Sequence, residues 1–304
     1  MARTGVLSTA ERIRRHLGPG HNMEVAVLAV AIDDSTTTVK FLGTALPRGV
    51  QVGVTLGIDT ELMRIISLDT SNVQVTVIRG FLDSEAANHA DLAQIDIAPR
   101  FSMLDIVDAM QSEIDSWGTS LYYTLADTLT VAPSAQTVEL PVEWTDCLGV
   151  VRCNQNELSS TSDATVVWPE LPIRMIRGTA STFDGATVSG ILLRFLEPIR
   201  YGSVYVVVAM PFHGDGMTTA QDLVTDFHIP TSMLDVLEMG AQIRLIANSD
   251  YGRGSRQPQD EARRAEETPM GSMVSIEQLG IARYERRKAA EVRRLRHAYP
   301  IRIV

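Results

Sequence analysis

The spacing of apolar and polar residues changes several times along the chain. Residues 23–98 contain short strand-like runs, and in the run around Val73, Val75 and Val77, which has a period of two, these valines share one face and polar residues the other. This period is typical of strands with one buried face. Because the runs are short and separated by Asp, Thr, Asn and Gly, they predict a small β-barrel or sandwich.

Residues 101–117 follow the period of a helix instead. Ser102 is predicted to cap this helix, with Asp105 as the acidic partner of a capping box. Apolar residues recur every three or four positions, which predicts one buried helical face. The members of this face are Leu104, Val107, Met110, Ile114 and Trp117.

Strand patterns return over residues 131–212 with no helical segment between them, which predicts a second antiparallel sandwich. Helical patterns follow. One helix is predicted to start at Thr231 or Ser232 and to end at Asn248, where a loop follows. A polar helix is predicted to start at Pro258, and a last helix at the capping box of Ser275 and Gln278.

The N-terminal residues 6–17 are predicted to form a short helix, which the Gly18-Pro19-Gly20 triplet ends as a hinge. No apolar run reaches the ~18 residues of a membrane helix, so no membrane contact is predicted.

The patterns together predict an α+β protein. It would comprise a small N-terminal β-barrel or sandwich, a linking amphipathic helix, a second antiparallel β-sandwich and a helical C-terminal region. The predicted segments are an N-terminal arm (1–22), a small all-β domain (23–100), the linking helix (101–130), a β-sandwich domain (131–212) and a helical region with a basic helix and tail (213–304).

Charge is distributed unevenly along this layout. The formal net charge is −10. Residues 1–20 carry four arginines and one glutamate, and residues 252–304 carry 12 basic and 7 acidic residues, so the 231 residues between them hold −18. An acidic body does not favour non-specific nucleic-acid binding, whereas basic ends can bind an acidic partner or nucleic acid.

The basic C-terminal helix is the segment most suggestive of a partner. One interpretation is a contact helix for an acidic surface or a DNA backbone, and the other is a solvated helix with internal ion pairs. The tail that follows could add a strand to a neighbouring subunit through Ile301 and Ile303. The candidate contact arginines are Arg283, Arg286, Arg287, Arg293, Arg294 and Arg296.

No catalytic motif occurs in the chain, so neither an enzyme nor a cofactor is predicted. His89 with Asp91 and Asp96 could bind a metal or could form a capped loop, and the loop is favoured. The remaining site-like peptides are read as turns. They are His213-Gly214-Asp215-Gly216 and Asp33-Asp34-Ser35.

Two further residue types leave alternatives open. Cys147 and Cys153 are interpreted as reduced structural residues, although strands placed side by side could pair them. Trp117, Trp144 and Trp168 could form a sugar-binding platform or could pack in cores.

Residues 61–117 resemble a recurrent segment of neck and tail-connector proteins from long-tailed bacteriophages. The resemblance rests on a Glu-hydrophobic strand start, a strand ending in Arg-Gly, a loop with Ala-Ala and His, an aromatic residue and a helix. In this chain these are Glu61-Leu62-Met63-Arg64, Val73 to Arg79-Gly80, Ala86-Ala87-Asn88-His89, Pro99-Arg100-Phe101 and Leu104 to Trp117.

The resemblance implies a structural virion protein and not an enzyme. It implies a homo-oligomeric ring, twelve-fold to match a portal, which lies in the virion neck between the portal protein and a downstream tail or stopper protein. The ring would assemble in the host cytoplasm and let genomic DNA pass as cargo, for which an acidic lumen would be suited. It further implies that Arg79, Gly80 and His89 are structural loop residues. The alternative is a carbohydrate-binding adhesion module of a tail tip or fibre, which would need Trp144 and Trp168 on one exposed face.

Overall fold

A computed structural model describes most of the chain. The described residues are 4–17, 24–132, 134–156, 170–178, 181–183, 186–188, 190–199, 202–253 and 272–301. Within them the protein is mixed α+β, with four α-helices and several antiparallel sheets, one of which is a curled half-barrel. The predicted fold class is therefore confirmed at this level.

The chain divides into two compact units. Unit 1 comprises Met1–Ile114 with Gly214–Tyr284, and unit 2 comprises Asp115–His213 with Glu285–Val304. Each unit therefore takes segments from two parts of the chain. The five segments drawn from the sequence stay a prediction.

Unit 1 contains a six-stranded antiparallel sheet in the order β1-β6-β3-β4-β5-β2. Its edge strands continue toward each other, because Ala29 N–H donates to the Lys40 carbonyl at 2.9 Å and Leu42 N–H to the Val27 carbonyl at 2.8 Å. The sheet thus curls around one apolar core. Its strands are β1 (Glu24–Val27), β2 (Thr38–Lys40), β3 (Thr55–Ile58), β4 (Glu61–Asp69), β5 (Gln74–Ile78) and β6 (Gln94–Ile97).

The predicted inward face of β5 is confirmed. Val73, Val75 and Val77 are all buried in the core of this sheet, whereas Thr76 between them is half-buried. Apolar residues at every second position therefore identify the buried face of this strand.

Four helices are described, and their starts show which sequence signals were sufficient. They are α1 (Val6–Leu17), α2 (Met103–Trp117), α3 (Leu234–Arg253) and α4 (Ser272–Ala298). The cap of α2 is confirmed: Asp105 N–H donates to Ser102 Oγ at 3.0 Å, and Ser102 N–H donates to Asp105 Oδ2 at 2.8 Å. These reciprocal bonds satisfy two backbone N–H groups near the start of the helix.

Two predicted helix limits are wrong. The last helix begins at Ser272 and not at Ser275. A single turn of 3-10 helix spans Thr231–Met233, after which α3 continues to Arg253, beyond the predicted end at Asn248. No proline occurs between Leu234 and Pro258, so no proline forces the helix to stop earlier. The predicted hinge at 18–20 and the helix at Pro258 lie outside the described residues.

Unit 2 contains antiparallel sheets, two of which contribute to one apolar core. Val206 on β14, Leu193 on β13 and Trp144 are all buried in this core. The sheet orders are β7-β14-β9, β10-β13-β8 and β11-β12. The strands are β7 (Tyr122–Thr130), β8 (Thr137–Glu139), β9 (Gly149–Asn156), β10 (Ile173–Arg177), β11 (Ser181–Phe183), β12 (Ala186–Val188), β13 (Ile191–Phe195) and β14 (Ser203–Pro211).

Cys147 and Cys153 are both buried and free, as predicted. None of the described helices combines the length and apolar character needed to cross a bilayer.

Candidate functional site

A buried ion pair lies at the start of β4 in unit 1. The Arg79 guanidinium binds both carboxylate oxygens of Glu61, with Nε to Oε1 at 2.6 Å and Nη2 to Oε2 at 2.7 Å. The Glu61 side chain is 0% exposed and that of Arg79 is 7% exposed. This two-point geometry is the strong form of an arginine–carboxylate contact.

Arg79 uses its remaining donors on the backbone of neighbouring segments. Nη1 donates to the carbonyls of Asp33 at 2.6 Å and Thr36 at 2.7 Å, and Nη2 donates to the carbonyl of Ala87 at 2.6 Å. With the two bonds to Glu61, all five guanidinium N–H groups are used. Arg79 therefore joins the hairpin turn at Asp33 to the loop that follows β5.

His89 completes the cluster from the far end of that loop. Its Nε2 lies 2.9 Å from Glu61 Oε2, and its Nδ1 lies 2.9 Å from Asp59 Oδ2. Ionised carboxylates only accept hydrogen bonds, so both contacts are satisfied when the ring is an imidazolium and both of its nitrogens donate. Burial lowers the pKa of His89, but hydrogen bonds to Asp59 and Glu61 outweigh burial and raise the pKa overall.

Glu61 is the centre of the cluster. It also accepts the backbone N–H of Gly80 at 3.2 Å and of Ala87 at 3.0 Å. Burial raises the pKa of Glu61, but the bonds from Arg79, Ala87 and His89 outweigh it and hold the pKa below its usual value. A buried carboxylate with this many donors stays ionised and fixes the loop around it.

The loop itself is tightly turned. Gly80 has φ +63°, and a Cβ there would lie 3.0 Å from the Ser84 carbonyl oxygen, so glycine fits where a side chain would be strained. The structure thus brings Arg79, Gly80 and His89 together around Glu61. Glu61 and Asp59 were missed as partners of His89, because 28 and 30 residues separate them from it.

The alternative metal grouping of His89 with Asp91 and Asp96 is wrong. Asp96 instead accepts from Arg14 at 2.6 Å and from the Gln94 side-chain amide at 2.9 Å. Among the described residues no group of three histidine, cysteine or acidic side chains could hold a metal ion.

The Asp33 peptide forms the predicted hairpin turn. Asp33 Oδ1 accepts the backbone N–H of Thr36 at 2.6 Å and of Ser35 at 3.1 Å. Together with hydrogen bonds from the Thr36 and Ser35 hydroxyls, these bonds lower the pKa of Asp33 to about 2. Its oxygens therefore serve the turn, as expected of an aspartate at such a position.

The His213-Gly214-Asp215-Gly216 peptide places a glycine against a helix. A Cβ on Gly214 would lie 2.8 Å from both Cα and the carbonyl oxygen of Gln111 on α2. Gly214 therefore permits close backbone packing within unit 1.

Two arginines of α4 pair with a buried glutamate of the same helix. Glu291 is buried and accepts from Arg287 at 2.5 Å and from Arg294 at 2.6 Å. Burial raises the pKa of Glu291, but these two arginines outweigh it and lower the pKa. Arg283, Arg286, Arg293 and Arg296 are exposed, as is Arg294. Internal pairing therefore accounts for only part of the basic helix.

Both units bury part of α4. In unit 1, Tyr284 Oη donates to Glu113 Oε1 at 2.5 Å, and Arg244 Nε donates to Glu113 Oε2 at 2.8 Å. In unit 2, Tyr122 Oη donates to the carbonyl of Tyr299 at 2.6 Å, just after α4 ends. Ile301 is half-buried, and Ile303 lies outside the described residues.

The basic residues of α1 are partly engaged within unit 1. Arg12 pairs with Glu238 at 2.7 Å and Arg14 pairs with Asp96 at 2.6 Å, whereas the Arg15 side chain is 72% exposed. The buried face of α1 includes Val6 and Ile13. This segment is therefore held against its own unit by both apolar packing and ion pairs.

The tryptophans that the structure describes are buried. Trp144 is 5% exposed in the core of unit 2, and Trp117 contacts Phe212 edge-on with ring centroids 5.4 Å apart. Trp168 lies outside the described residues. Burial at Trp144 removes one of the two exposed rings that a sugar platform would need.

No protein-family model matches this chain, and a search of curated proteins gives no match.

Proposed function

We propose that this protein is a structural virion protein, a ring-forming head–tail connector or adaptor that joins the portal to the tail of a long-tailed phage. The single observation that carries the proposal is the Glu61 cluster. It occupies the segment that resembles phage neck proteins, and its ionised groups are bonded to one another and to the loop backbone. Such an arrangement stabilises a shaped loop and does not present a reactive group to a substrate.

The partners follow from this proposal. The ring would be a homo-oligomer, twelve-fold to match a portal, between the portal protein and a downstream tail or stopper protein. Genomic DNA would pass through it, and the subunits would assemble in the host cytoplasm before they join the virion. The exposed arginines of α4 support a protein contact, because a guanidinium pairs well with carboxylates of an acidic partner.

The finer layout belongs to the same proposal. An N-terminal β-barrel, a linking amphipathic helix, a β-sandwich and a helical C-terminal region would give each subunit two β modules and a basic docking helix. The acidic charge of residues 21–251 suits a lumen that repels DNA phosphate.

The alternative is a carbohydrate-binding adhesion module at a tail tip or fibre. It requires Trp144 and Trp168 to present their rings on one exposed face, and Trp144 is buried. This observation favours the connector.

The oligomeric state of the full chain tests the proposal. Native mass spectrometry and negative-stain electron microscopy of the purified protein are expected to show a closed cyclic ring with a central opening. A trimer that binds a glycan array would favour the adhesion module, and a monomer at all protein concentrations would refute the connector.

Co-purification with the portal protein of the same phage tests the proposed role of α4. Deleting the helix would remove the buried side chains Tyr284 and Leu295, so point variants are preferable. We expect Arg293→Glu with Arg296→Glu to weaken portal binding, whereas Arg48→Glu, also at an exposed arginine, leaves it unchanged. If the α4 variant and the Arg48→Glu variant bound the portal protein equally well, α4 would not be part of the portal contact.

A further inference from the structure

A groove of about 590 Å³ lies between α2 and α3 in unit 1. Its apolar lining includes Phe101, Ala109 and Leu245, and its acidic lining consists of Asp105 and Asp108 on α2. Asp105 and Asp108 are three positions apart, so they lie on the same side of α2 and are separated by about 4.5 Å along its axis. The groove thus combines an apolar surface with a pair of like charges.

The negative charge of this groove is not compensated at Asp108. Burial, followed by the neighbouring charge of Asp105, raises the pKa of Asp108, and no cation lowers it. Among the described residues, no hydrogen bond or ion pair reaches its carboxylate. A cation placed beside these two carboxylates would relieve their repulsion.

Two arginines also line the groove, but each is directed elsewhere. Arg244 Nε binds Glu113 Oε2 at 2.8 Å. The Arg100 guanidinium lies over the Phe101 ring, 5.1 Å from its centroid. Asp108 therefore remains available to a cation from another molecule, and Asp105 offers its Oδ1, since its Oδ2 accepts from Ser102.

The exposed face of α4 has the complementary character. Leu279 is 72% exposed, and Arg283 and Arg286 are also exposed. At ~100° per residue these three side chains lie within about 60° of one another around the helix. Tyr284, which contacts Glu113, lies more than about 90° away from each of them. This face of α4 is thus separate from the face that packs within the subunit.

The two surfaces also match in spacing. Arg283 and Arg286 are three residues apart, as are Asp105 and Asp108, so both charged pairs are separated by about 4.5 Å along their helices. Each arginine can therefore meet one carboxylate while Leu279 lies against apolar side chains. Within one subunit, neither arginine contacts either carboxylate among the described residues.

We propose that the α2–α3 groove of one subunit binds the exposed face of α4 from a second copy of this chain. Arg283 and Arg286 pair with the acidic residues of the groove, and Leu279 packs against its apolar lining. The inference rests on the proposed ring and names the contact between its subunits. Because the two surfaces differ, the contact is head-to-tail and repeats around a closed ring.

Charge reversal on each surface tests the contact. The groove-reversed variant carries Asp108→Lys and Ser112→Lys, and it keeps Asp105 because that residue caps α2. The helix-reversed variant carries Arg283→Glu and Arg286→Glu. Either variant alone faces like charges, and we expect the subunit concentration at half-assembly to rise about ten-fold or more.

Mixing the two variants gives the decisive result. A reversed groove meets a reversed helix at one contact, and the next contact is wild type on both sides. Equimolar mixing is therefore expected to restore rings with equal numbers of the two subunits in native mass spectra. A single chain with all four substitutions is also expected to assemble.

A matched control separates this contact from a general effect of charge. Thr70→Lys with Asp91→Lys changes the net charge by the same amount as the groove-reversed variant, but at exposed positions outside the groove, and it is expected to assemble as wild type does. Circular dichroism checks that each variant is folded. The milder pair Asp108→Asn and Arg286→Gln, made separately, is expected to weaken assembly about three-fold if a reversed variant does not fold.

The outcomes distinguish this inference from the proposed function. If both reversed variants formed rings as readily as the wild-type protein, the proposed contact would be overturned and the connector proposal would stand. Impaired variants that fail to co-assemble would show that the two surfaces do not meet. A monomeric wild-type protein would overturn both the contact and the ring.

Discussion

Replacing Arg79 with methionine should destabilise unit 1 more than any surface substitution. Methionine retains an unbranched apolar chain but removes the five hydrogen bonds that the guanidinium makes. Glu61 would keep its charge in a fully buried position with only backbone N–H groups and His89 as donors. Removing one partner of a buried ion pair typically costs about 3–5 kcal/mol.

The structure also supplies matched comparisons. Arg79→Lys keeps the charge but offers three donors where five are used, so we expect an intermediate loss of about 1–3 kcal/mol. Arg48→Met alters an exposed arginine and is expected to stay within about 0.5 kcal/mol of wild type. Glu61→Gln combined with Arg79→Met removes both charges and should be less damaging than Arg79→Met alone.

Urea unfolding provides the measurement, provided that the probe reports unit 1. All three tryptophans lie within residues 115–213, so their fluorescence follows unit 2 and serves as an internal control. Hydrogen exchange of peptides from residues 61–97 follows the sheet and its loop. With a urea m-value of about 2 kcal/mol/M, a loss of about 4 kcal/mol lowers the midpoint of unit 1 by about 2 M. If Arg79→Met matched Arg48→Met, the cluster would not stabilise the loop as argued.

Two further predictions concern pH and packing. His89 contributes stability that is complete below its unfolded pKa of about 6.5 and is lost as pH rises through its raised folded pKa, whereas the stability that Glu61 contributes is lost as pH falls below about 4.5. The free energy of unfolding, measured from pH 3 to 10, should therefore be highest between these limits. The His89→Gln variant should flatten the alkaline side of this profile. Gly240→Ala would place a Cβ 2.6 Å from Cγ of the buried Glu113 and should lower the thermal midpoint of unfolding. Gly280→Ala in α4, where a Cβ meets nothing within 4 Å, should raise that midpoint because alanine has the higher helix propensity.

Local sequence signals predicted those parts of the fold that depend on neighbouring residues. The start of α2 followed from Ser102 and Asp105, which form the expected reciprocal bonds. The buried face of β5 followed from its period of two. For α2 the deciding contacts lie within a few residues of one another. For β5 the pattern repeats often enough to be interpreted without knowledge of the partner strand.

Strand β7 shows where such signals fail. The prediction included residues 122–130 in the linking-helix segment (101–130) and assigned them no strand, yet they pair along the whole length of β14. Most of these side chains are half-buried or exposed, so the run lacks a clear apolar face. Its backbone is satisfied by a partner strand about eighty residues away, which is a tertiary effect that no local pattern reports.

The candidate site was predictable only in outline for the same reason. Arg79 and His89 drew attention through the resemblance, but nothing near His89 in the sequence indicated Glu61 or Asp59. Proximity along the chain suggested Asp91 and Asp96 instead. The curled sheet brings the start of β4 to the end of β5, so the partners of a buried charge follow from sheet topology and not from spacing.

The strong bias toward arginine acquires a physical reason from these contacts. Only Lys40 and Lys288 are lysines. The buried carboxylates Glu61, Glu113 and Glu291 each bind at least one arginine. A guanidinium presents several donors in a fixed plane and stays charged when buried, whereas a buried ammonium readily loses its proton. An acidic protein that buries glutamates within its units therefore benefits from arginine at each of them.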